Sequence, residues 1–449
     1  MLVTRALRRA LLYLVAALAL LWCLSRARQT ASHDAVRRCS VLCDGTRLDY
    51  TGNRPSSWVR GDYLTLKTVG QVKIVDGEIV YTPGAVPVDV VFNSAVDPRD
   101  EWTVLPTPLR TSGTVPVFLT VKSGERVHRD TRPDIRMEDG KLKILQLADL
   151  HLSSFDGVCR DQYPQISDEC KADERTMVFV NKLLDIEKPD LVIFTGDQVF
   201  GEDSFHVQST VLKLVAPLID RNIPYAAMFG NHDDEGSMTR EELCAFFETL
   251  PMSLVERGPS DIDGVGNYVL SIPRDDPKLT IYIMDSHKYS PKPRQLPGYD
   301  WIKENQLEWI KQRHQELGNT DLSMAFFHIP LPEYTNLAQG YVGNFKEGIT
   351  APKYNSGARD VLQSLGVSVV SVGHDHCNDY CLKDVKEDEG IWLCYGGGGG
   401  EGGYGGYGGT TRRARVYEID GKTITTWKRL ETTLELFDRQ VLVREGTPV

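Results

Sequence analysis

Residues 191–200 read LVIFTGDQVF. Leu191–Thr195 is an apolar run of strand length, and it stops at Gly196-Asp197. A short continuous apolar run bounded by a turn signal reads as a buried strand. The acid directly after it matters because the arrangement recurs. Leu142–Leu147 is followed by Asp149 and His151, and Pro224–Met228 by Gly230-Asn231-His232-Asp233. Leu322–Phe327 is followed by His328, and Val367–Val372 by Gly373-His374-Asp375-His376. Five predicted strands therefore end in polar clusters, and open α/β sheets bind ligands beyond the carboxyl ends of their strands.

The stretches between these strands alternate with them. Glu174–Glu187 and Arg359–Leu365 read as helices, and Asn305–Leu317 as an amphipathic one. Thr239 and Glu242 form a capping box that opens a helix to about Leu250. Tyr268–Ile272 and Leu279–Met284 are further strands. The alternation indicates an α/β fold with substantial parallel pairing. Residues 35–139 have another texture. Val72–Val75, Ile79–Tyr81, Val88–Phe92 and Val117–Val121 are short runs separated by Gly, Pro and Asp turns, which predicts a β-rich accessory region. The expected organisation is an apolar segment at 1–34, the accessory region at 35–139, the main domain at 140–430 and a C-terminal extension at 431–449.

The formal net charge is −11 and no long basic stripe is present, which argues against a nucleic-acid partner. Arg5, Arg8 and Arg9 precede an uncharged apolar run from Ala10 to Leu24, and Arg26 and Arg28 follow it. This reads foremost as a short signal anchor in a membrane. A cleaved signal peptide, with Ser25 and Ala27 near the cut, and a mitochondrial presequence are the alternatives. Arginines on both sides leave the orientation open. Of nine cysteines, Cys39/Cys43, Cys159/Cys170 and Cys377/Cys381 are close pairs, as expected of disulfides in an oxidising lumen. No Asn-x-Ser/Thr sequon occurs, which counts mildly the other way. The expectation is the endomembrane or secretory pathway, anchored or secreted, with the main domain luminal.

In D-x-H and H-x-H the two residues are two apart on an extended segment, so both side chains leave one face. Imidazole and carboxylate together suit a pair of divalent ions such as Mn, Zn or Fe. The blocks D-x-H, GD, GNH-D/E, a lone His and GH-x-H occur in order over roughly 141–427. As a set they resemble the metallophosphoesterase superfamily, the calcineurin-like phosphoesterases. The phrases LQLADLH, FTGDQVFG, GNHDDEG, FFHIPLPEY and CYGGG…RRARV are similar to the purple-acid-phosphatase-like plant proteins and the fungal dosage-dependent cell-cycle-regulator phosphatases.

The resemblance implies a four-layer α/β/β/α sandwich holding two metal ions. Asp149, His151, Asp197 and His376 would hold the first, and Asp197, Asn231, His328 and His374 the second, with Asp197 bridging. It implies a phosphomonoesterase acting on phosphoproteins or small phosphoesters by in-line attack of a metal-bridging hydroxide. A phosphodiesterase on nucleotides or lipid head groups is the alternative, and an inactive metal-bound scaffold the third reading. His232, next to Asn231, is assigned to phosphate binding or leaving-group protonation, with Asp233 or Asp234 orienting it. True purple acid phosphatases carry a tyrosine ligand three residues after the bridging aspartate. Phe200 stands there, so no tyrosinate-bound ferric ion is expected.

His33, His128, His206 and His314 lie outside the clusters and read as surface or core histidines, while His287 is a second-rank candidate. The Ser153–Asp173 loop is expected to rim the site, pinned by Cys159 and Cys170. Eleven of the fourteen residues from Gly396 to Gly409 are glycine. They follow the predicted strand IWLCY, and glycine allows close backbone approach. The first glycines are therefore expected at the site rim, with Tyr395 and Glu401 near substrate. GGYGGYGG is expected to form a mobile hairpin tip before Arg412–Tyr417.

Overall fold

The computed structural model describes residues 48–51, 65–68, 71–75, 78–82, 88–100, 102–106, 108, 115–122, 133–165, 169–318, 320–406 and 409–449. The Ala10–Leu24 run, the Cys39/Cys43 pair, His33, His128 and the Tyr407-Gly408 part of the glycine tip lie outside them. Among the described residues no helix is long and apolar enough to cross a membrane. The chain divides into two compact units, residues 1–97 with 101–126, and residues 98–100 with 127–449.

The described part of the first unit is all strand and turn. β1 (Leu48–Thr51) pairs antiparallel with β2 (Thr65–Thr68), and β3 (Gln71–Val75) with β4 (Glu78–Thr82). β5 (Val88–Phe92) and β6 (Trp102–Val104) flank β7 (Val117–Lys122) in a three-stranded sheet. These strands carry the β-branched runs that the sequence marks.

The second unit is built on two seven-stranded sheets. Its strands are β8 (Lys141–Leu147), β9 (Leu191–Thr195), β10 (Tyr225–Met228), β11 (Tyr268–Ile272), β12 (Leu279–Ile283), β13 (Leu322–Phe326) and β14 (Tyr341–Val342). They continue with β15 (Val367–Val372), β16 (Cys381–Lys386), β17 (Glu389–Tyr395), β18 (Arg413–Asp420), β19 (Thr423–Leu430), β20 (Leu436–Arg444) and β21 (Thr447–Pro448). The helices are α1 (Ala172–Glu187), α2 (Val207–Asp220), α3 (Arg240–Glu248), α4 (Glu304–Leu317) and α5 (Ala358–Ser364). One sheet has the order β10-β9-β8-β18-β19-β20-β21, with β8, β9 and β10 parallel. The other has the order β11-β12-β13-β15-β17-β16-β14, with β12, β13, β15 and β17 parallel.

The two-residue period of the strands makes the layers. Leu142, Ile144, Leu191, Ile193, Met324, Phe326 and Val369 meet in one cluster between the sheets. On β13 and β15 the other face puts Ala325, Val370 and Val372 against Leu307 and Ile310 of α4 and Leu362 of α5. The helices α1, α2 and α3 bury Phe179, Leu183, Val211, Leu214, Leu243 and Phe247, the last edge-on to Tyr225 of β10 in the first sheet. Each fully buried side chain of this kind contributes about 1.5–3 kcal/mol, so parallel strands covered on both faces read as continuous apolar runs. The result is the α/β/β/α sandwich.

Three parts differ from the sequence expectation. α2 forms where no helix is predicted, because Val207, Val211, Leu214 and Leu218 give it a buried face and Pro217 falls in its last turn. Residues 431–449 contain β20, which pairs with β19 and puts Leu442 and Val443 into the inter-sheet core. Cys159 and Cys170 form a disulfide, but Cys377 does not pair with Cys381. The register of β16 against β17 sets Cys381 opposite Cys394, with Cα atoms 4.0 Å apart, and these two are bonded. Cys377, in the turn before β16, stays a buried free thiol.

Candidate metal centre

The polar clusters lie on turns just beyond the carboxyl ends of β8, β9 and β10 in one sheet and of β13 and β15 in the other. The turns are sharp. Asp149, His151, Asp197 and His374 have φ of 54°, 47°, 51° and 78°. Left-handed backbone at a non-glycine residue costs of order 1–3 kcal/mol and persists only where the surroundings hold it. Here Asp149 N donates to Gly196 O (3.1 Å), His151 N to Asp197 O (3.0 Å) and His374 N to Asp149 Oδ2 (3.0 Å). Gly196 is required before Asp197, since its φ is 86° and a Cβ there would lie 2.5 Å from His328 Nδ1.

These turns gather two groups, Asp149 with His151 and His376, and Asp197 with His328 and His374. Within each group one ligand atom per residue lies within 4.8 Å of the others. All six residues and Asn231 are buried. His151 Nε2 is 3.1 Å from His376 Nε2, which is 3.5 Å from Asp149 Oδ1. His328 Nε2 is 3.2 Å from Asp197 Oδ2, Asn231 Oδ1 and His374 Nδ1 alike. Asp197 Oδ2 is also 3.9 Å from His151 Nε2, so this carboxylate touches both groups.

The proton count decides what such a cluster needs. His328 Nδ1 faces Thr195 O at 2.9 Å, and His376 Nδ1 faces Tyr404 O at 3.0 Å. A carbonyl oxygen only accepts, so each Nδ1 carries a proton and each Nε2 is the ring nitrogen turned inward. Ring nitrogens and carboxylate oxygens then converge at a buried spot. Protonating His328 would quiet part of this. Burial opposes it, but Asp197 outweighs burial and raises the ring to about 9. Burial also holds His151 and His376 down to about 3 and His374 well below its usual value. Burial raises Asp149 to about 7. Three neutral buried imidazoles, with His151 Nδ1 and His374 Nε2 lacking hydrogen-bond partners, form a donor set that suits cations.

Residues 142–378 match the profile of a family described as calcineurin-like phosphoesterase. The chain belongs to that family. It is 50% identical over 357 residues to the phosphatase DCR2 of Saccharomyces cerevisiae, covering 74% of this chain and 62% of that one. It is 36% identical over 342 residues to the Arabidopsis thaliana protein named "Probable inactive purple acid phosphatase 29", covering 68% and 86% of the two chains. The chain thus spans about three fifths of the yeast relative. A solved dimetal phosphatase from Danio rerio aligns with 69% of this chain and 99% of its own at 13% identity and a TM-score of 0.47.

Next to the paired groups stands His232. Its ring centre is 5.5 Å from that of His151, and its side chain keeps 30% of its exposure. Its Nδ1 lies 2.6 Å from Glu235 Oε2. Burial disfavours its charge, but the hydrogen bond to Glu235 and the field of Asp197 prevail and raise it to about 9. The orienting acid is therefore Glu235, not Asp233 or Asp234. Asp234 turns instead to Lys288 (2.8 Å) and Arg240.

The three expected rim residues are not at a rim. Asp233 is buried, and its carboxylate accepts from the N–H groups of Asp197, Val199 and Gly230. It fixes the turn that carries Asp197. Tyr395 is fully buried and donates to Asp375 Oδ2 at 2.6 Å. Glu401 is buried between Arg175 (3.1 Å) and Arg412 (3.6 Å). His206, His287 and His314 make local contacts with Ser209, Gln306 and Tyr282.

The glycine tract packs against the rings of the candidate ligands. A Cβ on Gly403 would lie 2.6 Å from His376 Cε1 and 2.9 Å from His151 Cδ2. A Cβ on Gly398 would lie 2.9 Å from His376 Cβ. Tyr404 stacks on the His376 ring with centres 3.9 Å apart, a contact that sequence reasoning missed. On the other side Tyr299 sets its edge on His374 at 4.3 Å and stacks with Tyr289. Phe200 lies 5.7 Å from the His151 ring and offers no ligand atom.

Proposed function

We propose that this phosphoesterase is a two-metal phosphomonoesterase acting on phosphoproteins or small phosphoesters. The observation that carries the reading is the inward convergence of buried ring nitrogens and carboxylate oxygens in two groups that share Asp197. Asp149, His151 and His376 would hold one ion, Asn231, His328 and His374 the other, and Asp197 both. Such a pair supplies, when bound, an acidified water and a positive clamp on the phosphoryl oxygens. Manganese, zinc and ferrous iron all suit the donor set. With Phe200 in place of a phenolate, the protein is expected to be colourless.

The remaining work falls to the chain's own groups. His232, charged through Glu235, turns its other N–H toward a phosphoryl or leaving oxygen. Its positive charge favours a monoester dianion over a diester monoanion. The complete set of ligands speaks against an inactive scaffold. The disulfides Cys159–Cys170 and Cys381–Cys394 support an oxidising compartment, with the 1–34 segment as anchor or leader.

Metal analysis of the purified protein, with hydrolysis of p-nitrophenyl phosphate against bis-p-nitrophenyl phosphate, tests this. About two ions per chain, preference for the monoester and a strong loss in His232→Ala are expected. Faster diester hydrolysis would favour the phosphodiesterase reading. Absence of hydrolysis with two ions bound would favour the scaffold.

A further inference from the structure

We infer, resting on the phosphomonoesterase reading, that Arg160 is a specificity residue. It would select substrates with a second anionic group beside the scissile phosphate. Arg160 lies on the 153–173 loop, and its guanidinium stands 4.2 Å from the ring centre of Phe200. The same ring is 5.7 Å from His151 and 5.9 Å from His232. Arg160 is therefore beside the metal-ligand cluster without being in it.

The backbone at this position is fixed. Arg160 N donates to Glu401 O (2.8 Å), Arg160 O accepts from Arg412 (2.6 Å), and the neighbouring Cys159 is bonded to Cys170. The side chain is not consumed. It is 49% exposed, and Asp203 Oδ2 stands at 4.0 Å, the outer limit of an ion pair. A positioned main chain with an open guanidinium head stacked on an aromatic ring suits recognition of a carboxylate or phosphate.

The distances set the spacing. With 4.2 Å to Phe200 and under 6 Å onward to His151 and His232, the guanidinium is at most about 10 Å from either ring. An extended peptide advances about 3.3–3.6 Å per residue. An acidic side chain within three residues of a phosphorylated one fits that span, and so does the second phosphate of a small bisphosphate. The shared chemistry is a second anion close to the first.

Calorimetry on the full chain as purified tests the inference by binding alone. One arm uses phosphoserine peptides with a single Asp or Ala at each position within three residues of the phosphoserine. The other uses a hexose bisphosphate against a hexose monophosphate. Wild type is expected to bind the doubly anionic member of one arm about fivefold more tightly, an advantage that shrinks with added salt. Arg160→Ala should abolish the advantage and Arg160→Lys should keep part of it. Arg313→Ala, a change of an exposed arginine on α4, should leave it intact. No preference in either arm, or a preference that survives in Arg160→Ala, overturns the inference. p-Nitrophenyl phosphate turnover by wild type is measured separately, so failure of the phosphatase reading shows there and not in the binding data.

Discussion

Two buried polar clusters lie close together in this molecule and obey opposite rules. Behind the glycine tract, Asp379 is held by Arg413 (2.6 Å) and Lys428, and Lys428 also meets Asp438 (2.7 Å). Glu401, Arg175, Arg412 and Glu431 form a second set. Charges of both signs meet there and compensate one another. In the metal centre the inward atoms are mostly acceptors, and they face each other at 3.1–3.5 Å. The closed network pairs its buried charges with opposite ones as folded, whereas the open cluster gathers acceptors that cations would complete. Burial and polarity alone would not separate the two, but the balance of donors and acceptors does.

The largest expected effect is on the open cluster. Asp197→Asn removes the carboxylate that touches both groups, and hydrolysis should fall on the order of 10³-fold or more with loss of bound metal. Steady-state kinetics and metal analysis check this. Asp379→Asn is the counterpart in the closed cluster. It leaves Arg413 and Lys428, both at most 2% exposed, without their shared counter-charge, and should cost about 3–5 kcal/mol of stability in a denaturant titration. Arg413 and Lys428 hold the Asp379 carboxyl below the usual range despite its burial. Its contribution is therefore present above that range and is lost only as the pH falls below it. With a chelator present, Asp197→Asn should cost less stability than Asp379→Asn. Equal costs would break the distinction between open and closed.

The candidate ligands were legible because each sits within a few residues of a strand whose apolar run is continuous, so sequence position implied spatial position. Asp149, His151, Asp197, Asn231, His328, His374 and His376 all gather at that edge. Asp233, Tyr395 and Glu401 misled for the same reason, since nearness in sequence to a motif does not say where a side chain points. Glu401 meets Arg175, 226 positions earlier, and no local pattern announces that partner. Glu235 had a usable signal, the i to i+3 spacing from His232 across a turn. Tyr404 had none, because an aromatic residue inside a glycine-rich tract looks like low complexity. The left-handed backbone at Asp149, His151, Asp197 and His374 is a tertiary property, imposed by hydrogen bonds between turns of different strands.

A smaller effect tests whether the glycine tract joins the two clusters. Gly403→Ala adds a methyl group against His376 and His151 without a positive φ to strain. Two candidate ligands of one ion must then shift, and metal affinity should fall about 10–100-fold, as for changes in the shell around ligands. Competition with a chelating dye measures it. The closed network should keep the fold, so an unchanged melting temperature with chelator present is expected. Global unfolding would mean that the tract belongs to the core and not to the site.

The smallest expected effect is a shift in the pH profile through His232, which stands beside the two groups and keeps part of its exposure. Its proton is held up to about 9 because Glu235 and Asp197 outweigh its burial. A histidine with a raised value keeps its proton below that value and loses it above. If the protonated ring assists departure of the leaving oxygen, activity declines on the alkaline side, at or below about 9 because bound cations repel the same proton. Glu235→Gln keeps an acceptor near Nδ1 but removes the charge, so the alkaline limb should move to lower pH while metal content stays unchanged. A pH–rate profile of wild type and variant, with the His232 resonances followed by NMR, reads both. A limb that does not move would mean that His232 acts as a neutral donor. Glu235 would then belong with the closed networks and not with the open site.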